Sequence, residues 1–173
     1  MTTCILVRHG EPRYDEVIER GYFGQGYDLG KLTDRGVGQA ERRALDPIFK
    51  DAEIIVSSPY TRALQTAAII SRITNIPLAV ENDLHEWMPD TTFKFELDAG
   101  NAFDEYLNHK GIRNSKTLYH WESYDALRKR VLKALEPYKH YQKIIVVCHG
   151  IVMSTLTRFD DVIEHCGVRE VTL

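Results

Sequence analysis

An arginine, a histidine and a glycine follow the first apolar run of the chain. The run is Ile5-Leu6-Val7, and the residues behind it are Arg8-His9-Gly10. A continuous aliphatic run of this kind predicts a strand buried on both faces of a parallel sheet, and ligands bind at the carboxyl ends of such strands. At that place an imidazole can attack an electrophile, and a guanidinium can hold an anion through two hydrogen bonds.

Two later apolar runs end in residues of the same chemical kind. Ile54-Ile55-Val56 precedes Ser57-Ser58-Pro59, with Arg62 shortly after, and Ile144-Ile145-Val146-Val147-Cys148 precedes His149-Gly150. Because the carboxyl ends of parallel strands share one edge of a sheet, two arginines and two histidines are expected to converge there. Such a group suits a phosphoryl group, whose transfer needs positioning and charge stabilisation.

Helical patterns separate the predicted strands. Thr33 can cap a helix, an apolar face follows Pro59 at what we expect to be a first helical turn, and a third helical pattern precedes Pro137. Weaker strand patterns occupy residues 77–80 and 168–173. The fold class is therefore α/β, a three-layer sandwich with a mostly parallel central sheet flanked by helices. The helix that Thr33 is expected to cap carries an apolar face made of Val37, Ala40, Ala44 and Leu45.

The overall composition bounds the class of protein. The 173 residues fit a single domain, residues 1–173, in which the irregular residues 90–123 form an insertion or lid over the active site. A net charge of −3 gives no attraction to nucleic acid or to an anionic membrane, and no apolar run could span a bilayer. The start resembles no signal peptide, and three dispersed cysteines are typical of reduced thiols, so a cytoplasmic protein is expected.

Five segments together resemble the motifs of one protein family. Arg8-His9-Gly10-Glu11 resembles the signature of the histidine phosphatase superfamily, the phosphoglycerate-mutase-like enzymes of the branch 1 type. Leu32-Thr33-Asp34-Arg35-Gly36 with Gln39-Ala40 is similar to its L-T-x-x-G-x-x-Q-A element. Residues 57–67 match its second signature, and Val146-Val147-Cys148-His149-Gly150 resembles its last one. His165-Cys166-Gly167-Val168 loosely resembles its closing strand. The segments follow the family's order, and only the expected lid lacks a counterpart.

The resemblance implies a role for each converging side chain. His9 would be the nucleophile that accepts the phosphoryl group, which requires a neutral ring held in one tautomer, for example by a backbone carbonyl. Arg8 and Arg62 would bind the phosphoryl oxygens. His149 would lie opposite His9 and, when protonated, stabilise charge on the transferring group.

The reaction also needs a carboxyl group that donates a proton to the leaving oxygen and later activates water. Glu86 is the candidate, because it follows a predicted strand as the acid does in family members, and Trp87-Met88 could desolvate it. Asp83, Asp90 and Glu11 are the competing acids.

Two positions depart from the family pattern. Many relatives carry Ser or Thr at the position of Pro12 and Asn at that of Asp15. Asp15 would repel a phosphate dianion unless it pairs with Arg13 or Arg20 or faces a cationic part of the substrate, so it is a candidate substrate contact. The chain also lacks the long insertion and the E-R-H-Y-like element of phosphoglycerate mutases, which disfavours mutase activity.

The expected function is therefore metal-independent hydrolysis of a phosphomonoester through a phosphohistidine on His9. We expect a small phosphorylated substrate, no cofactor, no metal ion and no nucleic acid or membrane partner. The alternatives are a protein phosphohistidine phosphatase, which would act on a phosphoprotein, and a non-catalytic module that binds a phosphorylated ligand or protein. The strand at residues 168–173 offers an edge for a possible homodimer.

Overall fold

Five strands form one mixed sheet in the computed structural model, which describes residues 1–173. The strand order is β3-β2-β4-β1-β5; the first four strands are mutually parallel, and β5 runs antiparallel to β1. This arrangement confirms the mostly parallel α/β sheet. The strands are β1 (Thr3–Arg8), β2 (Ile54–Ser57), β3 (Leu78–Val80), β4 (Lys143–Cys148) and β5 (Val168–Thr172).

Six α-helices surround this sheet. None of them is long and apolar enough to cross a membrane. A short 3-10 helix over Gly24–Leu29 lies between the first two α-helices. The helices are α1 (Asp15–Glu19), α2 (Asp34–Ala44), α3 (Thr61–Thr74), α4 (Ala99–Asn108), α5 (Tyr124–Leu135) and α6 (Gly150–Ser154).

Alternate strand residues pack against different helices. In β4, Ile145 and Val147 face a core shared with α3, whereas Ile144 and Val146 face a larger core shared with α5 and α6. Because side chains alternate along a strand, the uninterrupted apolar run fills both faces of the sheet. The sheet is thus the middle of three layers, and its carboxyl edge is held rigidly from both sides.

Two local predictions about helices are wrong. Pro59 lies outside α3, which begins at Thr61 with Tyr60 as its N-cap, because the Ser58 hydroxyl accepts a hydrogen bond from the Tyr60 amide and extends the turn. Leu45 lies beyond the end of α2 and is 73% exposed. It follows buried Ala44 by one residue, about 100° around the helix axis, so it points away from the core. Thr33 does cap α2, as predicted.

Residues 90–123 contain α4 and contribute to the larger core. Tyr106 and Trp121 are fully buried there, and the indole of Trp121 donates to the Glu105 carboxylate at 2.8 Å. Phe93 and Leu97 remain exposed. The segment is therefore attached to the larger core through Tyr106 and Trp121, whereas the part around Phe93 and Leu97 lies at the surface. Its role as a lid stays a prediction. Strand β5 has one free edge, and homodimer pairing at that edge likewise stays a prediction.

Two glycines allow α2 to lie directly against the loop behind β1. A Cβ atom on Gly10 would stand 2.6 Å from the carbonyl oxygen of Gly36, and one on Gly36 would stand 2.3 Å from that of Glu11. Gln39 accepts a 2.8 Å hydrogen bond from the Glu11 amide. The L-T-x-x-G-x-x-Q-A element therefore positions the loop that follows His9.

We expect Gly36→Ala to lower the free energy of unfolding by about 1–3 kcal/mol, because the new methyl group must displace backbone. Gly38→Ala is the matched control in the same helix. Its Cβ would meet only the mobile end of the Arg42 side chain at 3.2 Å. Alanine should stabilise that helical position by up to about 1 kcal/mol. Urea denaturation of both variants measures the difference, and equal effects would contradict the close approach.

Candidate active site

The carboxyl ends of β1 and β4 bring both predicted histidines together. Arg8 is paired with Cys148 in the sheet, and the His9 amide donates to the Cys148 carbonyl at 3.0 Å. The ring centroids of His9 and His149 are 5.2 Å apart. Arg62, in the first turn of α3, places its Nε 3.3 Å from His9 Nε2. Four side chains from three separate segments of the chain thus lie around one point.

His9 is held in a single tautomer. Its Nδ1 lies 2.7 Å from the carbonyl oxygen of Gly10. Since a carbonyl only accepts hydrogen bonds, Nδ1 carries the ring proton and Nε2 keeps its lone pair. Burial, followed by the positive charges of Arg62 and Arg8, lowers the pKa of His9 to about 3. The ring is therefore neutral, with its nucleophilic nitrogen beside Arg62.

His149 is fully buried and has one nitrogen without a partner. Its Nε2 lies 2.7 Å from the Ser58 hydroxyl, whereas Nδ1 has no hydrogen-bond partner in the protein. Burial and the nearby Arg62 and His9 hold the pKa of His149 well below its usual value. A Ser58 hydroxyl that donates to Nε2 would leave the ring proton on Nδ1, as a free donor inside the site.

Arg8 also has a buried donor without a partner. One of its terminal nitrogens donates to the carbonyl of Ile163 at 2.5 Å, but its Nε is unpaired. Only three buried side-chain polar atoms lack a partner in the whole chain, and two of them belong to Arg8 and His149. An unsatisfied buried donor costs about 1–3 kcal/mol. An anion that accepted from both would remove that cost.

Arg62 is oriented by an acid that the sequence did not reveal. It is 5% exposed, and it donates to Asp28 Oδ1 at 2.9 Å. Its guanidinium also lies 5.4 Å from the centre of the Tyr60 ring. Burial raises the pKa of Asp28, while Arg62 and a hydrogen bond from Tyr60 oppose that rise. Asp28 comes from the 3-10 helix before α2, and it binds a different nitrogen of the guanidinium from the one beside His9.

Glu86 has the environment expected of a general acid. It is half-buried, and its Oε1 accepts a hydrogen bond from the Trp87 amide at 2.7 Å. Desolvation raises the pKa of Glu86 to about 6, although the Trp87 amide, Arg62 and Arg8 oppose the rise. Trp87 is itself buried in the larger core against Phe103. The carboxyl therefore sits within electrostatic reach of both arginines on a rigid support.

The competing acids have other surroundings. Asp83 is exposed, and the Glu11 carboxylate accepts from the Thr33 hydroxyl at 3.0 Å. Asp90 accepts from the amides of Thr92 and Phe95, both at 2.8 Å. These hydrogen bonds hold the carboxylates of Glu11 and Asp90 against neighbouring loops. Glu86 remains the acid best suited to proton transfer.

Asp15 is not brought to the other site residues. It begins α1, and its carboxylate receives two hydrogen bonds from Arg13, one of 2.8 Å and one of 2.5 Å. This partner lowers the pKa of Asp15 to about 2. The pairing with Arg13 reduces the repulsion that the Asp15 carboxylate would exert on a bound phosphate. Contact between Asp15 and the substrate stays a prediction. His165, named only within a loose motif, has its ring 5.8 Å from that of His9.

A cavity of about 560 Å³ opens beside Glu86. It is formed by residues 22–28 on one side and by residues 86–99 on the other, with Tyr60 between them. No cluster of three or more His, Cys, Asp or Glu side chains is arranged to hold a metal ion.

Comparison with known proteins assigns the chain to one family. The sequence pattern of the histidine phosphatase superfamily (branch 1) matches residues 4–159. The chain therefore belongs to this superfamily. The matches support the enzyme class expected from the sequence, a phosphoric monoester hydrolase.

Individual relatives agree with this assignment. A Hydrogenobacter thermophilus protein with the provisional name phosphoserine phosphatase 2 is 35% identical over 156 residues, which are 87% of this chain and 74% of that protein. The solved structure of YhfR from Bacillus stearothermophilus has a TM-score of 0.73 at 21% identity, with 100% of this chain and 92% of that chain covered. The solved structure of a mycobacterial glucosyl-3-phosphoglycerate phosphatase has a TM-score of 0.72 at 18% identity, with 99% of this chain and 91% of that chain covered. Both structures confirm the fold.

Proposed function

We propose that the protein hydrolyses a phosphomonoester, without a metal ion, through a phosphohistidine on His9. The observation that carries the proposal is the neutral ring of His9, whose unprotonated Nε2 lies beside Arg62 at 3.3 Å. Around it, Arg8 and His149 each hold a buried nitrogen with no partner in the protein. These are the donors that a bound phosphoryl group would satisfy.

In the first step, Nε2 of His9 attacks phosphorus and the bond to the leaving oxygen breaks. Arg8 and Arg62 hold the phosphoryl oxygens, and the protonated carboxyl of Glu86 gives its proton to the leaving oxygen. The Gly10 carbonyl stabilises the ring as it becomes cationic, because it accepts from Nδ1 at 2.7 Å. Positioned charge of this kind supplies most of the rate enhancement in phosphoryl transfer.

In the second step, the carboxylate of Glu86 takes a proton from water, and the water oxygen attacks phosphorus. The bond from phosphorus to Nε2 breaks, its electron pair returns to His9, and inorganic phosphate is released. A carboxyl group with a pKa near 6 can act in both directions at neutral pH. A bound dianion raises the pKa of His149, and the neutral ring can also stabilise the transferring group by donating a hydrogen bond from Nδ1.

The test is hydrolysis of p-nitrophenyl phosphate by metal-free protein. We expect the activity to be the same before and after dialysis against EDTA, because arginines supply the positive charge. Loss of activity that returns with a divalent cation would contradict a metal-independent mechanism. Tight binding of inorganic phosphate or vanadate without any turnover would favour the non-catalytic alternative.

The size and lining of the cavity favour one kind of substrate. A space of about 560 Å³ suits a small phosphorylated molecule better than a folded phosphoprotein. A relative from Thermoplasma acidophilum, 30% identical over 139 residues, is named a phosphoglycerate mutase. No lysine or arginine lines the cavity of this chain to receive a carboxylate. Hydrolysis is therefore proposed in place of phosphoglycerate transfer.

Asp28→Asn is expected to lower kcat/KM by about tenfold, because misplacement of a positioned group by a fraction of an ångström is costly. The Asp28 charge also raises the pKa of Glu86. Its removal should therefore move the alkaline limb of the pH profile to lower pH. Asp125→Asn makes the same charge change on the exposed start of α5 and is the control. Equal pH profiles of the two variants would contradict the positioning role.

A further inference from the structure

We infer that the leaving group of the substrate is an apolar body, of the size of an aromatic ring, without negative charge. This inference rests on the proposed phosphatase function and adds the class of substrate. It is carried by the cavity beside Glu86. Because Glu86 delivers its proton to the leaving oxygen, the rest of the leaving group must occupy that cavity.

The cavity has aromatic walls on both sides. Among the side chains at its border, Phe23 and Phe93 are more than half exposed, although burying an aromatic ring in the core would be favourable. Their exposure is explained if a ligand covers them. The aromatic members of the lining are Tyr22, Phe23, Tyr27, Tyr60, Trp87, Phe93 and Phe95.

The two walls are joined by a specific contact. A Cβ atom on Gly24 would stand 2.6 Å from the ring of Phe95, and Gly24 has a φ of 57° that side-chain-bearing residues rarely adopt. Phe95 is itself held by its backbone amide, which donates a hydrogen bond to the Asp90 carboxylate at 2.8 Å. The two walls of the cavity therefore pack directly against each other, because the Phe95 ring lies against the backbone of Gly24.

All the ionisable charge at the cavity wall has one sign. The lining contains four acids (Asp28, Glu86, Asp90 and Asp98) and no lysine, arginine or histidine. Asp90 holds the turn after it, and Asp98 caps α4 through the Asn101 amide at 2.9 Å. The hydrogen bonds from Thr92 and from the Phe95 amide lower the pKa of Asp90 and favour its charged form.

The two arginines of the site, Arg8 and Arg62, bind the phosphoryl group in the proposed mechanism and do not line the cavity. Arg62 faces His9 and is paired with Asp28, and Arg8 flanks His149 beyond the cavity lining.

Asp28 is paired with Arg62, and Glu86 is protonated when it acts as the acid, so the carboxylates of Asp90 and Asp98 are the ones without a cationic partner. A carboxylate or second phosphate on the leaving group would enter a partly enclosed space with these two acids and no lysine, arginine or histidine to receive it. Such a like-charge contact is unfavourable and selects against that substrate.

The experiment compares three alkyl phosphates whose leaving alcohols have similar acidity. They are ethyl phosphate, 2-phenylethyl phosphate and 2-(4-carboxyphenyl)ethyl phosphate. We expect kcat/KM for the phenylethyl ester to exceed that for the ethyl ester by at least about tenfold, because the ring is buried between aromatic walls. It should exceed that for the carboxyphenyl ester by at least about tenfold as well, because of charge repulsion.

A pair of variants tests whether charge in the cavity sets the preference. Leu97 lines the cavity and is exposed, so substitution there is compatible with folding. Leu97→Arg should narrow the gap between the phenylethyl and carboxyphenyl esters by about fivefold, the upper range of an exposed ion pair. Leu97→Gln removes the same apolar side chain without adding charge and should leave the gap unchanged.

The outcomes separate the inference from the function on which it rests. Equal rates for the phenylethyl and carboxyphenyl esters, or equal effects of Leu97→Arg and Leu97→Gln, would overturn the inference while the phosphatase function stands. Turnover of none of the esters, nor of p-nitrophenyl phosphate, would overturn the proposed function. Calorimetric binding of the same three esters then still reports the preference, and equal affinities would overturn it.

Discussion

His9→Ala is expected to lower kcat/KM for p-nitrophenyl phosphate by at least about 10³-fold, because no other nucleophile reaches phosphorus and only charge stabilisation remains. The remaining Arg8, Arg62 and His149 can still bind a phosphate. Inorganic phosphate should therefore continue to bind to the inactive variant, as measured by calorimetry. The loss belongs to kcat rather than to binding, since the ring of His9 acts only after the ester is bound.

The control for this substitution is His140→Ala. His140 is exposed, and its ring lies against the carbonyl of Pro137 and the ring of the neighbouring Tyr141. We expect unchanged kcat/KM for this variant. Thermal unfolding of both variants checks that His9→Ala is folded, because His9 is buried and its removal leaves a cavity. A folded His9→Ala protein with wild-type kcat would contradict the nucleophilic role.

Glu86→Gln is expected to lower kcat for alkyl phosphates by about 10²–10⁴-fold, the range for loss of a general acid and base. Glutamine keeps an oxygen that can accept from the Trp87 amide, so the local backbone should be preserved. With p-nitrophenyl phosphate the first step needs little acid assistance. This variant should therefore release one equivalent of nitrophenol rapidly and then stall, because no base activates water.

The matched control for Glu86→Gln is Asp83→Asn. Asp83 lies three residues earlier and is exposed, and its neutralisation changes net charge by the same amount. Its kinetics should match those of the unaltered protein. A large loss in Asp83→Asn together with normal turnover in Glu86→Gln would assign the proton transfer to the other acid.

The pH dependence of kcat/KM follows from the same carboxyl group. Burial raises the pKa of Glu86 to about 6, and the first step uses its protonated form. For alkyl phosphates kcat/KM should therefore be highest below that value and fall as the pH rises through it. For p-nitrophenyl phosphate this alkaline decrease should be weaker, since its leaving oxygen needs little protonation. Identical profiles for both kinds of ester would contradict the assignment.

The sequence predicted that both histidines and Arg8 would converge, because these residues follow strands. Arg8, His9 and His149 stand at the ends of uninterrupted apolar runs, whose direction in a parallel sheet fixes where they meet. The sequence analysis also required one tautomer of His9, because a ring nitrogen that attacks phosphorus must keep its lone pair while the other carries the proton. The structure provides this tautomer through the carbonyl of Gly10.

The substrate side of the site was not predictable in the same way. Asp28 lies in a 3-10 helix with no periodic pattern, and its importance arises from a tertiary contact with Arg62, 34 residues later. The aromatic residues of 90–123 divide between two environments that composition cannot separate. Trp121 enters the core, whereas Phe93 and Phe95 border the cavity.

The most direct test of the central claim is to locate the phosphoryl group during turnover. Glu86→Gln protein is mixed with p-nitrophenyl phosphate, quenched in alkali, digested and analysed by mass spectrometry. We predict one phosphoryl group on the peptide that contains His9, stable in base and lost in acid, and absent when His9→Ala is added to the variant. A phosphoryl group on any other residue, or turnover by His9→Ala protein without a labelled intermediate, would contradict the proposed mechanism.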